Sequence, residues 1–247
     1  MTTILGASAS GMLHNQNVMD VVGNNIANVN SFAFKKMRPI AEGRPDPAAS
    51  PEGSRLGVAD TTRDLVFSTA ADQVTEDPLN FAIQDDTFFR VQDLDGATVF
   101  TRFGGLSTDS AGNVTAFRGR FLEPPVTLPE GLTHPSVDGS GVISAVDEDG
   151  VAQPIGQLSL VRFTNPQALE TLGDGLYRET VNTGDITEGT PGTDGFAALI
   201  PGALEGSNVD LAEEFTNMII AQRAYQASAK TFSVGDEMLS LATNLTR

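Results

Sequence analysis

From about Val209 to Leu245 the chain runs without a proline, and its only glycine there is Gly235. Inside that run Leu211, Met218, Tyr225, Phe232 and Leu239 recur every seven residues, the spacing of a helix seam. Phe215 and Ala229 occupy second-seam positions four residues on, while Gln222 and Asp236 interrupt that line. Ser207, Asn208 or Asp210 can cap the start, and Glu213 and Glu214 sit in the first turn, where the helix dipole favours anions. A helix of roughly 35 residues is about 50 Å long at about 1.5 Å per residue. That is about three times an ordinary globular helix. Such an element needs a partner along its length, from its own chain or another.

The other end of the chain carries the same period. Leu5, Met12, Met19 and Ile26 are spaced by seven, with Val22 and Val29 three positions after Met19 and Ile26. Thr2 or Thr3 can cap this helix, and Asn28 to Ser31 stop it, since Asn and Ser favour turns. Ser8 and Asn15 dilute the stripe, and Gly6, Gly11 and Gly23 each cost about 1 kcal/mol against Ala. Neither end buries its seam alone, so pairing the two into one coiled coil is the economical solution.

Charge separates the ends from what lies between. The chain has 247 residues and a formal net charge of −17. Residues 1–40 carry +2 and residues 201–247 carry −3, which leaves −16 on residues 41–200. Lys occurs only at 35, 36 and 230. Polyanions such as nucleic acid and anionic lipid are therefore not expected as partners. No run approaches the ~20 apolar residues that span a bilayer. The first fifteen residues have neither a basic n-region nor an apolar run of signal-peptide length, so any export is expected to use no cleaved signal.

The middle reads as strands and turns. Asp95-Gly96, Gly112-Asn113, Asp138-Gly139, Asp149-Gly150, Asp174-Gly175 and Asp194-Gly195 are turn signals. Between them lie β-rich runs at 88–91, 98–103, 114–117, 142–146, 155–163 and 176–181. This spacing predicts an antiparallel β-domain over 71–200. Residues 39–53 hold four Pro and read as an exposed loop or linker.

Chemistry is hard to find. Zero Cys excludes thiol catalysis, disulfides and Cys-based zinc sites. His14 and His134 are isolated, which makes no metal cluster. Asp147 and Asp149 before Gly150 suggest a calcium loop, but Gly comes two positions too early and no Glu closes it. No phosphate-binding Gly loop or nucleophile elbow is present. The expectation is no catalytic residue, no metal site and no cofactor.

The ends are recognisable as they stand. Ser10-Gly11-Met12 through Gln16, then Val21 to Ser31, then Phe34-Lys35-Lys36 resemble the N-terminal motif of bacterial flagellar rod and hook proteins. Leu204-Glu205-Gly206-Ser207-Asn208-Val209-Asp210 opens what resembles the family's C-terminal motif. It continues through Glu214-Phe215, Met218-Ile219, Gln222 to Tyr225 and Asp236 to Leu239. In the middle Pro78 to Ile83, Phe88 to Val91, Phe100-Thr101-Arg102, Phe163 to Pro166 and Gly173 to Tyr177 are similar to the family's β-domain. The resemblance implies export through the flagellar type III apparatus. It also implies terminal helices that pair into the inner tube of an axial filament, with the β-domain outside. Length favours a rod over a hook protein, with distal and proximal rod positions both open. Ala33 and Thr87 stand where the family usually has Gly, so those turns are expected to be built differently.

The fold expected is α+β, paired N- and C-terminal helices forming a coiled-coil-like domain with a mainly antiparallel β centre. Its segments are an assembly helix over 1–31, an extended linker over 32–70, the β-domain over 71–200 and the second assembly helix over 201–247. The function expected is a structural rod subunit that polymerises and transmits torque, with copies of itself, neighbouring rod and hook proteins and the export apparatus as partners. Its assembly interface is expected at Leu5, Met12, Met19, Val22, Asn24, Asn25, Ile26 and Asn28, and at Leu211, Phe215, Met218, Gln222, Arg223, Tyr225, Phe232 and Leu239. The alternative is a secreted β-domain that binds or cleaves carbohydrate, oligomerised by its helical ends.

Overall fold

The computed structural model describes residues 2–41, 43–45, 55–58, 62–193 and 195–245. The side chains of Thr2 and Thr3, the centre of the Pro-rich stretch at 46–54 and Asp194 lie outside the described residues. Two helices bracket the chain, α1 (Thr2–Ala27) and α2 (Leu211–Leu245), and mainly antiparallel strands lie between them. The architecture is α+β. It divides into two compact units: Met1–Val29, Lys36–Val66 and Val209–Arg247 form one, Asn30–Lys35 and Phe67–Asn208 the other.

In the helical unit α1 and α2 run antiparallel. Leu5 lies against Gly235, Gly11 against Ser228, and Asn25 bonds Glu214, so positions rise along one helix as they fall along the other. Asp210 caps α2, its Oδ1 accepting from the amides of Ala212 at 2.8 Å and Glu213 at 3.1 Å. Within 32–70, where an extended linker is expected, two short antiparallel ladders belong to this unit. Met37–Ile40 pairs with Thr62–Leu65, and Gly43–Pro45 pairs with Arg55–Val58. Prolines can sit there because each strand pairs on one side and is otherwise an edge. Ser10 on α1 fastens the second ladder by accepting the Val58 amide at 3.2 Å.

The β unit is built on a nine-stranded antiparallel sheet. Its main path runs Glu170–Gly173, Leu176–Arg178, Thr98–Thr101, Thr87–Gln92, Arg120–Thr127, Asn113–Ala116 and Ser107–Thr108. Leu160–Phe163 branches from Thr87–Gln92 and carries Ile186–Gly189 on its other side. A separate three-stranded sheet holds Thr133–Val137, Val142–Val146 and Ala152–Gln157. The β-rich run at 155–163 is divided between two strands in different sheets, parted at Leu158, whose amide bonds the Gly141 carbonyl. Phe81, Phe89, Val91, Val99, Ile143 and Leu160 form the centre of the apolar core. Beside it Phe67, Phe88, Phe100, Phe163 and Tyr177 meet largely edge to face at 4.8–5.6 Å, a geometry favoured by ring quadrupoles.

Several hairpins turn on one device, an aspartate that accepts the amides of the turn behind it. Asp147 takes those of Asp149 and Val151, and Asp138 those of Ser140 and Val142. Ala33 departs from expectation. It is buried and adopts φ 54°, the left-handed conformation that Gly would supply, because its amide is held at 2.8 Å by the Glu205 carbonyl. Thr87 simply starts a strand.

Candidate assembly site

The line of α2 that touches α1 is made of small and charged residues. Glu214, Ala221, Ser228 and Gly235 are spaced by seven, and Glu214 and Ala221 are buried. A Cβ on Gly235 would stand 3.1 Å from Leu5 Cδ2, and one on Gly11 would stand 3.1 Å from Ser228 Oγ. Small side chains therefore set how closely the helices approach. The Leu211–Met218–Tyr225–Phe232–Leu239 line runs beside this contact rather than through its centre. At 3.5 residues per turn it is offset by about half the angle between successive residues.

Most of that apolar line remains in solvent within the single chain. Leu211, Phe215, Tyr225 and Phe232 are exposed, Phe215 to 54%, whereas Met218 and Leu239 are half-buried. Gln222 and Arg223 are exposed as well. On α1, Val22 is buried, Leu5, Met12, Met19 and Ile26 are half-buried, and Leu13 points outward at 64%. Ile219, Ile220, Met238 and Leu241 of α2 are exposed as well, so large apolar side chains stand in solvent along much of this helix.

The asparagines separate into different roles. Asn25 is 1% exposed: its Nδ2 donates to the Met37 carbonyl at 2.9 Å and to Glu214 Oε2 at 3.2 Å, while Oδ1 accepts the Met37 amide at 3.0 Å. Asn28 is half-buried and donates to the Asn24 carbonyl at 2.9 Å; Asn24 is exposed. Lys36 pairs with Glu213 at 2.9 Å, and Arg38 with Asp64 at 2.8 Å. Lys36, Arg38 and Glu213, with Val18, Val22, Met37, Pro39 and Ile220, border a cleft of about 400 Å³.

A second polar centre, in the β unit, was not singled out from sequence. Lys35, Arg102 and Glu205 have fully buried side chains. Glu205 Oε1 accepts from Lys35 Nζ at 2.6 Å, and Oε2 from Arg102 Nε at 3.0 Å. Lys35 also donates to the Ser68 carbonyl at 2.8 Å, and Arg102 to those of Asp85 at 2.6 Å and Thr87 at 3.0 Å. Burial, with the nearby Arg102 charge, holds the Lys35 pKa below its ordinary value, and Glu205 opposes both. All three residues lie inside the motif strings of the sequence, but nothing in those strings says that they meet.

Among the described residues no group of three or more His, Cys, Asp or Glu is placed to hold a metal ion, and no helix is long and apolar enough to cross a membrane. Fold and site together define a structural class: an α+β protein whose two ends pair as long helices that carry exposed apolar surface.

The model "Flagellar basal body rod FlgEFG protein C-terminal" matches residues 200–245, and "Flagellar hook protein FlgE/F/G D1 domain" matches residues 82–145. The flagellar basal-body rod protein FlgG of Bacillus subtilis (strain 168) is 36% identical over 265 residues, covering all of both chains. The FlgG of Caulobacter vibrioides is 33% identical over 258 residues, 98% of each chain. The flagellar hook protein FlgE of Treponema pallidum is 46% identical over 116 residues, 47% of this chain and 25% of that protein. The chain belongs to the flagellar basal-body rod protein FlgG family.

Proposed function

We propose that the chain is a structural subunit of the flagellar rod that polymerises with copies of itself, and with neighbouring rod and hook proteins, into a helical axial filament. It transmits torque by stiffness, without catalysis. The observation that carries this reading is the apolar surface of Leu211, Tyr225 and Phe232, with Phe215 beside them, exposed along a 35-residue helix whose inner line is already taken by α1. Fully burying one such side chain contributes about 1.5–3 kcal/mol, so several per copy can drive association. An interface repeated head to tail that does not close into a ring extends into a filament. Among the other expected contacts, Asn24 on α1 and Gln222 and Arg223 on α2 are exposed too, polar groups free to set the register of such an association.

The two terminal helices act as a coiled-coil-like module, and the FlgG relatives favour the distal part of the rod. Export follows the flagellar type III route without a cleaved signal, toward the basal body. A carbohydrate-active β-domain is not favoured, because the full-length relatives are rod proteins. Deleting residues 1–29 tests the reading. The β unit should stay folded by circular dichroism while polymerisation and motility are lost; normal rods from the deletion would contradict it.

A further inference from the structure

Two buried cations, Lys35 and Arg102, share a single buried carboxylate, Glu205. The three come from distant parts of the chain, and Glu205 is the only one on the C-terminal side of the sheet strands. Around it three separate segments of the β unit are sewn together. The Ala33 amide donates to the Glu205 carbonyl at 2.8 Å, the Gly206 amide to the Ala71 carbonyl at 3.0 Å, and the Ala70 amide to Glu205 Oε1 at 3.3 Å. Asn208 adds Nδ2 to the Ser68 carbonyl at 3.2 Å and to Ser68 Oγ at 3.0 Å. Ala203–Glu205 pairs with Asp72–Val74. The segments so joined, 30–35, 67–74 and 203–208, are the ones through which the chain enters and leaves the β unit at 35/36, 66/67 and 208/209.

Without residues 203–208 the sheet residue Arg102 would sit beside Lys35 with no carboxylate bonded to either, leaving Asp72 and Asp86 to act on Lys35 only through space. Leaving a charge buried and uncompensated is among the most costly changes a fold can suffer. Arg102 is at the end of the Thr98–Thr101 strand and bonds carbonyls of the segment leading into Thr87–Gln92, so this cost falls on the sheet and not only on its margin.

We propose that Glu205 is a closure clasp: the β unit closes only on a chain that is complete through the start of α2, because this carboxylate is the direct ion-pair partner of two buried cations at once. A subunit that lacks residues 203–208, or acquires them late, holds its β unit open. The clasp is a property of the β unit and stands whether or not the chain polymerises.

Native-state hydrogen exchange on the full chain, read along a denaturant series, tests the coupling. The clasp predicts that the Leu204 and Gly206 amides open together with core amides such as those of Phe89 and Val91, with protection agreeing within about tenfold. Leu204 and Gly206 exchanging more than a hundredfold faster, with the core still protected, would overturn it. Variants test the charge count. Glu205→Gln should raise the unfolding equilibrium constant on the order of a thousandfold. Lys35→Met, which leaves one cation for one carboxylate, should be tolerated, and Lys35→Met added to Glu205→Gln should recover at least about tenfold. Recovery is the reading that simple loss of hydrogen bonds would not give, since the second change removes bonds as well. A double variant no more stable than Glu205→Gln overturns the proposal, and if Glu205→Gln alone does not fold, a folded double variant supports it.

Discussion

Asn25 and Met37 exchange two hydrogen bonds, carboxamide to main chain, at 2.9 and 3.0 Å, as two strands of an antiparallel pair would. A helix side chain thus completes the edge of the Met37–Ile40 strand and also holds Glu214 of α2. One buried amide joins both helices and the ladder beneath them. Asn25→Ala should leave the Met37 amide and carbonyl without these partners and cost about 2–4 kcal/mol. Thermal unfolding of the purified chain checks this. A loss below about 0.5 kcal/mol would mean that the strand edge finds water instead.

Glycines within the helices should respond according to what faces them. Nothing lies within 4 Å of a Cβ built on Gly6 or Gly23, so Gly6→Ala and Gly23→Ala should each stabilise by about 1 kcal/mol. At Gly235 the Leu5 side chain is in the way, and Gly235→Leu should instead separate the helices. Denaturant midpoints should move in opposite directions for the two classes; a common direction would mean that Gly235 does not lie at a close contact.

Ala33 gives a third test. Holding a residue with a Cβ in the left-handed region costs about 1–2 kcal/mol, so Ala33→Gly should stabilise the β unit by up to about 1 kcal/mol after the added freedom of the unfolded chain is counted. The quantity to measure is the urea midpoint, which should rise at an unchanged slope.

The two helices were legible because each carries a seven-residue apolar period, and α2 begins within two residues of the expected Val209. Which line of α2 faces α1 was not. A hydrophobic pattern highlights Leu211, Tyr225 and Phe232, whereas the contact is made by Glu214, Ala221, Ser228 and Gly235, residues chosen for small size or for a specific bond. The ladders at 37–65 were hidden by prolines that a paired edge strand tolerates. The Lys35–Arg102–Glu205 centre left no periodic trace, because ion pairing across 170 residues of sequence has no spacing rule. What the sequence did carry was membership of a family, and that membership included all three residues without assigning them a role.

Acid should weaken the hairpins. Asp147 is held below the ordinary carboxylate pKa of 3.8, chiefly by the Val151 amide, with the Gln153 side chain and the Asp149 amide adding to this. Its folded pKa is therefore lower than its unfolded one. The stability that it contributes is complete above about pH 4 and is lost as pH falls through the folded value. Asp109, with Asn113 as its main partner, should behave alike. The difference in melting temperature between the wild-type chain and Asp147→Ala should be present at pH 7 and shrink as the pH falls below the ordinary carboxylate value of 3.8; a difference independent of pH would assign the effect to turn shape alone.

The most direct test of the assembly account is electron microscopy of polymers formed by the purified chain, beside the variant Phe215→Ser/Phe232→Ser. Both side chains are exposed on the single chain, so the variant should melt within about 0.5 kcal/mol of the wild type. The account predicts helical filaments for the wild-type chain, with Phe215 and Phe232 covered by a neighbouring copy, and none for the variant. Filaments of the same lattice from both, or wild-type filaments in which these two rings remain in solvent, would contradict it.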